Sequence, residues 1–480
     1  MIIYPENTND NIAFAKDKNT FLRQGADPKN AQEEGLVRSA EWSTFINGIE
    51  VLTYAVPVTR GGPQSFAIAE IEGETSVRAV YAGPLRSARI YSLEGEIPLT
   101  LRDNAIEFTV KGEGSLLLEV NESYREPLAL FLSEKEKVTF QPEEENVLWF
   151  APGIHYRKNL ELGNNQIVYL APGAVLKAVP PEESDAFLTE QDWAGLKNYE
   201  DFLFAREKSG ITICGKGIID TTGLGWHMRR TLVFSDCENI SVSGILLNGA
   251  AHWTMPFFGC KNVAVKNVKL LGYRENSDGI NLVDCEQVLV EDCFIRTGDD
   301  GVCVKSMGLN RLYGCKDITV RNCLVWNDKV RAFGIAGETR YDIRNVTFED
   351  CLVVHSFADW TREVGALSIV ISDSGTIHDI AFKRIRICQE SNYVINLMIM
   401  KDFWSTDEEA GRIENVLFED IGIPDNSMMY FEGYDKEHCI DSIYFKGIRS
   451  VNDGREAESG KYFRKNKYVS LTWLPDSSER

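Results

Sequence analysis

Across 480 residues the chain has no apolar run of the ~20 residues needed to cross a bilayer. It opens Met1-Ile2-Ile3-Tyr4-Pro5 without a basic stretch leading into an apolar one, so no secretory leader is expected and a cytoplasmic setting is. Positive charge is scarce. Against 72 Asp and Glu stand 51 Lys and Arg, a formal net charge of −21, which argues against nucleic acid or an anionic membrane as partner. The same field weighs against a strongly polyanionic substrate. C-x-x-C spacing is absent, so the 11 cysteines do not read as zinc ligands. Their odd number, and their places inside apolar strand patterns, suit buried thiols in a reducing compartment better than a disulfide framework. No motif calls for a cofactor or a resident metal.

What is present is β-structure of two kinds. Residues 1–140 hold short runs of alternating apolar and polar residues, among them Ile49 to Val58, Ser65 to Ile71, Ser76 to Tyr81, Ala105 to Val110, Ser115 to Val120 and Pro127 to Leu132. Turn clusters such as Gly61-Gly62-Pro63 separate them, the pattern of an antiparallel β-sandwich. Glu134 to Glu145 is charged, aperiodic and linker-like. Residues 141–480 form the second unit.

There a repeat sets in, with no amphipathic helix in it. An Asn, Asp or Gln precedes an apolar-x-apolar stretch at Asn239, Asn262, Gln287, Asp317, Asn345, Asp379 and Asn415, in steps of 23 to 36 residues. Fixed order with variable length marks a solenoid whose coils carry loops of different size. The short, β-rich units predict a parallel β-helix of about ten coils, all-β throughout. Cys237, Cys260, Cys285 and Cys315 recur at one repeat position and Cys293, Cys323 and Cys351 at another, so both series should stack inward. Between Leu176 and Phe204 an acidic insertion, partly helical in pattern, interrupts the repeat. It reads as a decoration of its coil, with a flap over the cleft as the alternative.

Chemistry gathers in two clusters, Asn276-Ser277-Asp278-Gly279 and Gly298-Asp299-Asp300-Gly301. Asp278 and Asp299 are 21 residues apart, one coil, which brings the three carboxylates together. Adjacent residues on a regular strand face opposite ways, so Asp299 and Asp300 share a site only at a bend, which Gly298 and Gly301 permit. Acidic groups crowded on one face repel, raise at least one pKa and provide both a proton donor and a base, as glycosidic cleavage requires. Turn chemistry, or a calcium site, is what the same residues offer otherwise.

The run from Asn262 to Ser306, with Asn276-Ser277-Asp278-Gly279, Asp299-Asp300 and Val304-Lys305-Ser306, resembles the polygalacturonase family and its clan relatives, the dextranases and isopullulanases. The resemblance implies a right-handed parallel β-helix and hydrolysis with inversion, with Asp299 as general acid and Asp278 and Asp300 positioning and deprotonating water. A sandwich in front is similar to the layout of the dextranase and isopullulanase branch. Two family motifs are missing. The stretch Lys329 to Glu338 lacks the Gly-His-Gly histidine, and Ala366 to Val370 is uncharged where the family carries the Arg-Ile-Lys that grips a uronate. A carboxylate substrate wants a paired cation, so the expectation is a neutral, α-linked oligo- or polysaccharide.

Further candidates surround this block. Lys305 can orient an aspartate or stabilise negative charge. Arg331, Glu338 and Arg340, one coil later, can bind sugar hydroxyls, and Arg296 is a further cation expected near the cluster. His252-Trp253 and Trp226-His227 precede it, and Trp253 suits the apolar face of a pyranose. Trp326, Trp360, Phe403 and Trp404 fall at coil edges where subsite walls would stand, and His355 is read as a structural histidine. A pectin hydrolase, a polysaccharide lyase and a non-catalytic carbohydrate-binding β-helix are the rival readings.

Overall fold

The computed structural model describes residues 37–192, 194–358, 364–389, 391, 393–401, 404–456 and 463–475; Trp360 and Phe403 lie outside them. Every regular element among the described residues is a strand. From Val147 the chain winds through three long parallel sheets, the first of 12 strands and the other two of 11 each. Among the described residues the parallel β-helix therefore has eleven three-stranded coils and one more strand, against about ten expected. Towards the ends the Asn/Asp signature is irregular: Asn165 is left-handed two residues before its strand, and Ser442 stands where the middle coils have Asn, Asp or Gln.

That signature has a backbone cause. Asn239, Asn262, Gln287, Asp317, Asn345, Asp379 and Asn415 all adopt φ between +51° and +58° near the start of their first-sheet strands. Asn and Asp tolerate this left-handed conformation best among residues with a side chain. Their amides also bond from coil to coil, as Asn262 Nδ2 does to Asn239 Oδ1 and Asn345 Nδ2 to Asp317 Oδ1, each at 2.6 Å. Inside, like residues stack in register. Phe348, Phe382, Phe418 and Phe445 lie 5.0–5.2 Å apart between ring centroids. The two cysteine series line the same core, and all eleven thiols are free.

In front, residues 37–134 form a six-stranded and a five-stranded sheet that share a core of Trp42, Val77, Ile106, Leu118 and Leu130. The six-stranded sheet is not wholly antiparallel, because Gln64–Ile71 runs parallel to Ser123–Glu134. Its other face covers the second sheet of the β-helix. Tyr54, Phe66 and Phe131 pack on Leu271, Phe294, Leu324 and Trp326 in one buried layer. The second sheet is thus covered, and the cleft lies along the third.

This layer corrects two expectations. Trp326 is fully buried beneath the front sheets and walls no subsite. Arg296 is buried there too, with its guanidinium 3.7 Å over the Trp326 ring and bonds to Gln64 Oε1 and the Arg60 carbonyl, both at 2.6 Å. Asp328 balances its charge at 3.3 Å. His355 is structural, as read, and shares a 2.5 Å hydrogen bond with Glu119 of the front unit. The insertion holds no described helix. It is a short antiparallel pair, Phe187–Thr189 with Asn198–Tyr199.

Candidate active site

Asp278 stands just before the third-sheet strand Ile280–Val283, and Asp299 and Asp300 just before its neighbour Val302–Ser306. Parallel pairing of Ile280 with Val302 sets the two loops side by side. One carboxylate oxygen from each aspartate then lies within 4.8 Å of the others. The bend at Asp299-Asp300 is real, but its glycines serve a different purpose from the one expected. Neither Gly298 nor Gly301 has a positive φ. A Cβ on Gly298 would sit 2.4 Å from the Arg274 carbonyl oxygen, and one on Gly301 2.3 Å from that of Ala332. They are glycines because adjacent coils press on them.

Lys305 is the hub of the charges. Its ammonium is buried, 3.3 Å from Asp278 Oδ2 and 3.7 Å from both Asp300 Oδ2 and Glu338 Oε2. It also lies 4.2 Å from the centre of the Trp253 ring, a cation–π contact. Glu338 reaches it through a bulge. Val304 pairs with Ile335 but Ser306 pairs with Thr339, so Ala336-Gly337-Glu338 arch outward, with Gly337 at φ +56°. Arg331 Nε is 3.4 Å from Asp300 Oδ1.

The carboxylates are not equivalent. Burial, followed by the charges of Asp278 and Asp300, pushes Asp299 well above the usual carboxylate range. Burial also raises Asp278, which Lys305 pulls back and Asp300 pushes up, to about 6. Asp299 accepts two backbone N–H bonds at 2.9 Å, from Asn276 to Oδ2 and from Asp300 to Oδ1. Asp278 Oδ1 and Asp300 Oδ1 are buried and accept no hydrogen bond from the described residues. Three carboxylates this close also suit a cation, and the Lys305 ammonium already stands among them.

A cavity of about 480 Å³ opens over the cluster, within the range of small-molecule sites. The structure brings His252, Trp253, Lys305, Arg331, Glu338 and Trp404 to its wall together with the three aspartates. Burial holds His252 well below the usual imidazole range. Arg340 is not brought there; its guanidinium pairs with Asp407 at 3.1 Å on a neighbouring loop. Trp226 donates its indole N–H to the Glu275 carbonyl. Val370 lines the cavity, so the position expected to lack a uronate-binding cation does face the site, and is apolar. Two contributors were not foreseen. Asp192 and Asn198 of the insertion form part of the wall, and His227 joins Asp192 to Asn276. The insertion reaches the cavity, as the flap alternative had it and the preferred decoration did not; lying outside the repeat, it carries no periodic signal to say which of its residues would do so.

The family model described as "Glycosyl hydrolases family 28" matches residues 191–467. Over 133 residues the chain is 34% identical to Polygalacturonase QRT2 of Arabidopsis thaliana, covering 24% of this chain and 30% of that one. Over 183 residues it is 25% identical to a probable polygalacturonase of Vitis vinifera, 34% of this chain and 37% of that one. The matches thus span about a third of these relatives' length. Among solved structures it resembles Dex49A from Penicillium minioluteum, with TM-score 0.61 and 14% identity over 94% of this chain and 96% of that one. It also resembles a hyperthermoactive exopolygalacturonase from Thermotoga maritima, with TM-score 0.54 and 17% identity over 69% and 83%. At such identities the likeness speaks for the fold.

Proposed function

Since the chain belongs to glycosyl hydrolases family 28, and is therefore a glycoside hydrolase, we propose that it hydrolyses an α-linked, galacturonate-containing polysaccharide of the pectin type. Asp299 protonates the leaving oxygen, and Asp278 and Asp300 hold and deprotonate the attacking water. The observation that carries this chemistry is the asymmetry of the three carboxyls. Burial and the charges of Asp278 and Asp300 push Asp299 well above the usual carboxylate range, which suits a proton donor, while Asp278, at about 6, suits a base, and all three line the same cavity. The pectin reading draws on relatives named polygalacturonases, which favour it over the dextran-like neutral glycan that the missing motifs suggested.

Carboxylates within 4.8 Å are closer than the ~6.5–9.5 Å usual when a water stands between one acid and one base. That spacing alone would suit retention; inversion, with the water held by Asp278 and Asp300 jointly, is proposed on the likeness to the polygalacturonases, and proton NMR of the first-formed anomer tests it. A neutral glycan is the second reading, favoured by one observation. The cations among the described wall residues, Lys305 and Arg331, are both engaged with carboxylates, and Val370 is apolar. Reducing-end release from polygalacturonate, rhamnogalacturonan, dextran and pullulan at one ionic strength decides between the two. Faster cleavage of an α-glucan would remove the pectin reading. A reducing compartment is proposed as well, on the free thiols.

A further inference from the structure

The insertion reaches the acid through two side chains. Asp192 Oδ1 accepts the backbone N–H groups of Ala194 and Leu196 at 2.8 and 2.9 Å, which fixes the carboxylate in its own loop. Its Oδ2 bonds His227 Nδ1 and accepts Asn198 Nδ2 at 3.0 Å. Asn198 Nδ2 also donates to the His227 carbonyl at 3.0 Å. On the far side of the ring, His227 Nε2 is 3.0 Å from Asn276 Nδ2. The Asn276 backbone N–H then donates to Asp299 Oδ2 at 2.9 Å. Asp192, His227, Asn276 and Asp299 form one unbroken chain.

With the Asn276 amide turning its Nδ2 side to the ring, each link admits one proton arrangement. A carboxylate only accepts, so Nδ1 of His227 carries the hydrogen. An amide nitrogen only donates, so Nε2 must offer its lone pair. The imidazole is then neutral with a defined tautomer, and burial, opposed by Asp192, draws its pKa below the usual value in agreement. His227 is fully buried and held at φ +65°, and Asn276 at φ +64°. Each is anchored through its backbone as well, His227 N–H on the Ala251 carbonyl at 2.7 Å and Asn276 N–H on Asp299.

We propose that Asp192 and His227 are a positioning dyad for the general acid: through Asn276 they hold the N–H that orients the Asp299 carboxyl, which makes the 179–203 insertion part of the catalytic apparatus. The dyad touches neither bond-making nor bond-breaking atoms. Its effect is to keep the acid within the few tenths of an ångström that efficient proton transfer needs. The proposal rests on the reading of Asp299 as acid.

The test uses Asp192→Asn in the full chain, with two substrates of one sugar: an oligogalacturonate and 4-nitrophenyl α-galacturonide, whose leaving group needs little protonation. A carboxamide no longer selects the Nδ1–H tautomer. We expect kcat on the oligosaccharide to fall about 10- to 100-fold, and kcat on the aryl glycoside less than about threefold, with KM nearly unchanged. Equal losses on both substrates, or a change confined to KM, would make the insertion a mere wall and overturn the proposal. Asp299→Asn is run on the same pair. Leaving-group dependence there but not in Asp192→Asn removes the dyad alone; its absence in both removes the acid assignment and the dyad with it. Independently of any substrate, long-range proton–nitrogen NMR of the wild-type protein should find His227 protonated at Nδ1 only. A proton on Nε2 would refute the arrangement.

Discussion

The ammonium of Lys305 lies 3.3 Å from the carboxylate of Asp278, and both side chains are buried. Neither charge would persist alone at that depth. Lys305→Met should therefore lower kcat by about 100-fold or more. It should also move the acid limb of the kcat/KM profile to higher pH, because Lys305 is what holds the Asp278 carboxyl down near 6. A pH–rate profile whose acid limb stays in place would show that Asp278 is not the titrating base.

The site is built at the expense of stability. Asp278 has a carboxyl at about 6 in the fold against 3.8 as a free side chain. Between those values the folded state binds more protons than the unfolded one, so stability declines as pH rises through this window, by up to ~3 kcal/mol. Asp278→Asn, which cannot ionise, should be inactive yet melt about 1–3 °C above wild type at pH 7.5. The gap should close as pH approaches 4. Lys305 keeps Asp300 and Glu338 as partners in the variant. Scanning calorimetry at several pH values checks the sign, and a variant less stable at pH 7.5 would contradict it.

Arg296 and Trp326 should matter for stability and not for substrate. Arg296→Met leaves Asp328 buried beside one fewer cation and removes the bonds to Gln64 and Arg60. A cost of about 3–5 kcal/mol is expected, read from thermal or urea unfolding. Trp326→Phe loses the indole bond to Asp328 Oδ1 at 2.7 Å. It should lower the melting temperature while KM stays within about twofold. A large rise in KM would return Trp326 to the subsite wall.

Thiol titration should separate the two states of the chain sharply. Nine of the eleven cysteines are buried, and only Cys388 and Cys439 are half-open. Burial pushes thiols such as Cys293 and Cys323 well above their usual pKa, which suppresses the reactive thiolate. Native protein should react with at most two equivalents of a thiol reagent and unfolded protein with eleven. Disulfides recovered after rapid alkylation would overturn the free-thiol picture.

The aspartate cluster was readable in sequence because its members are separated by one coil and nothing else, so chain distance translates directly into space. The left-handed corners announced themselves as Asn and Asp for a local steric reason. Trp326 could not be read that way. Whether a residue on the outer face of the second sheet meets solvent or protein depends on Phe66 and Phe131, some 200 and more positions away in the chain. Arg340 failed for a similar reason, since Asp407 on a later loop turns it aside. Asp192 lies where the repeat is broken, and periodicity has nothing to say there.

The cavity wall draws on six consecutive strands of the third sheet, from Met255–Phe258 to Ile395–Ile399. Neighbouring strands are ~4.8 Å apart, a spacing set by peptide hydrogen bonds whatever the side chains, so the cleft is graduated like a ruler about 24 Å long. A glycan laid along it meets a new loop at each mark. Exchanging the loop at one mark alters what is recognised there and leaves the distances between all the others as they were. Specificity in such a scaffold is modular: the chemistry stays at the marks of Asp278 and Asp299, while the remaining positions are free to be rewritten one at a time.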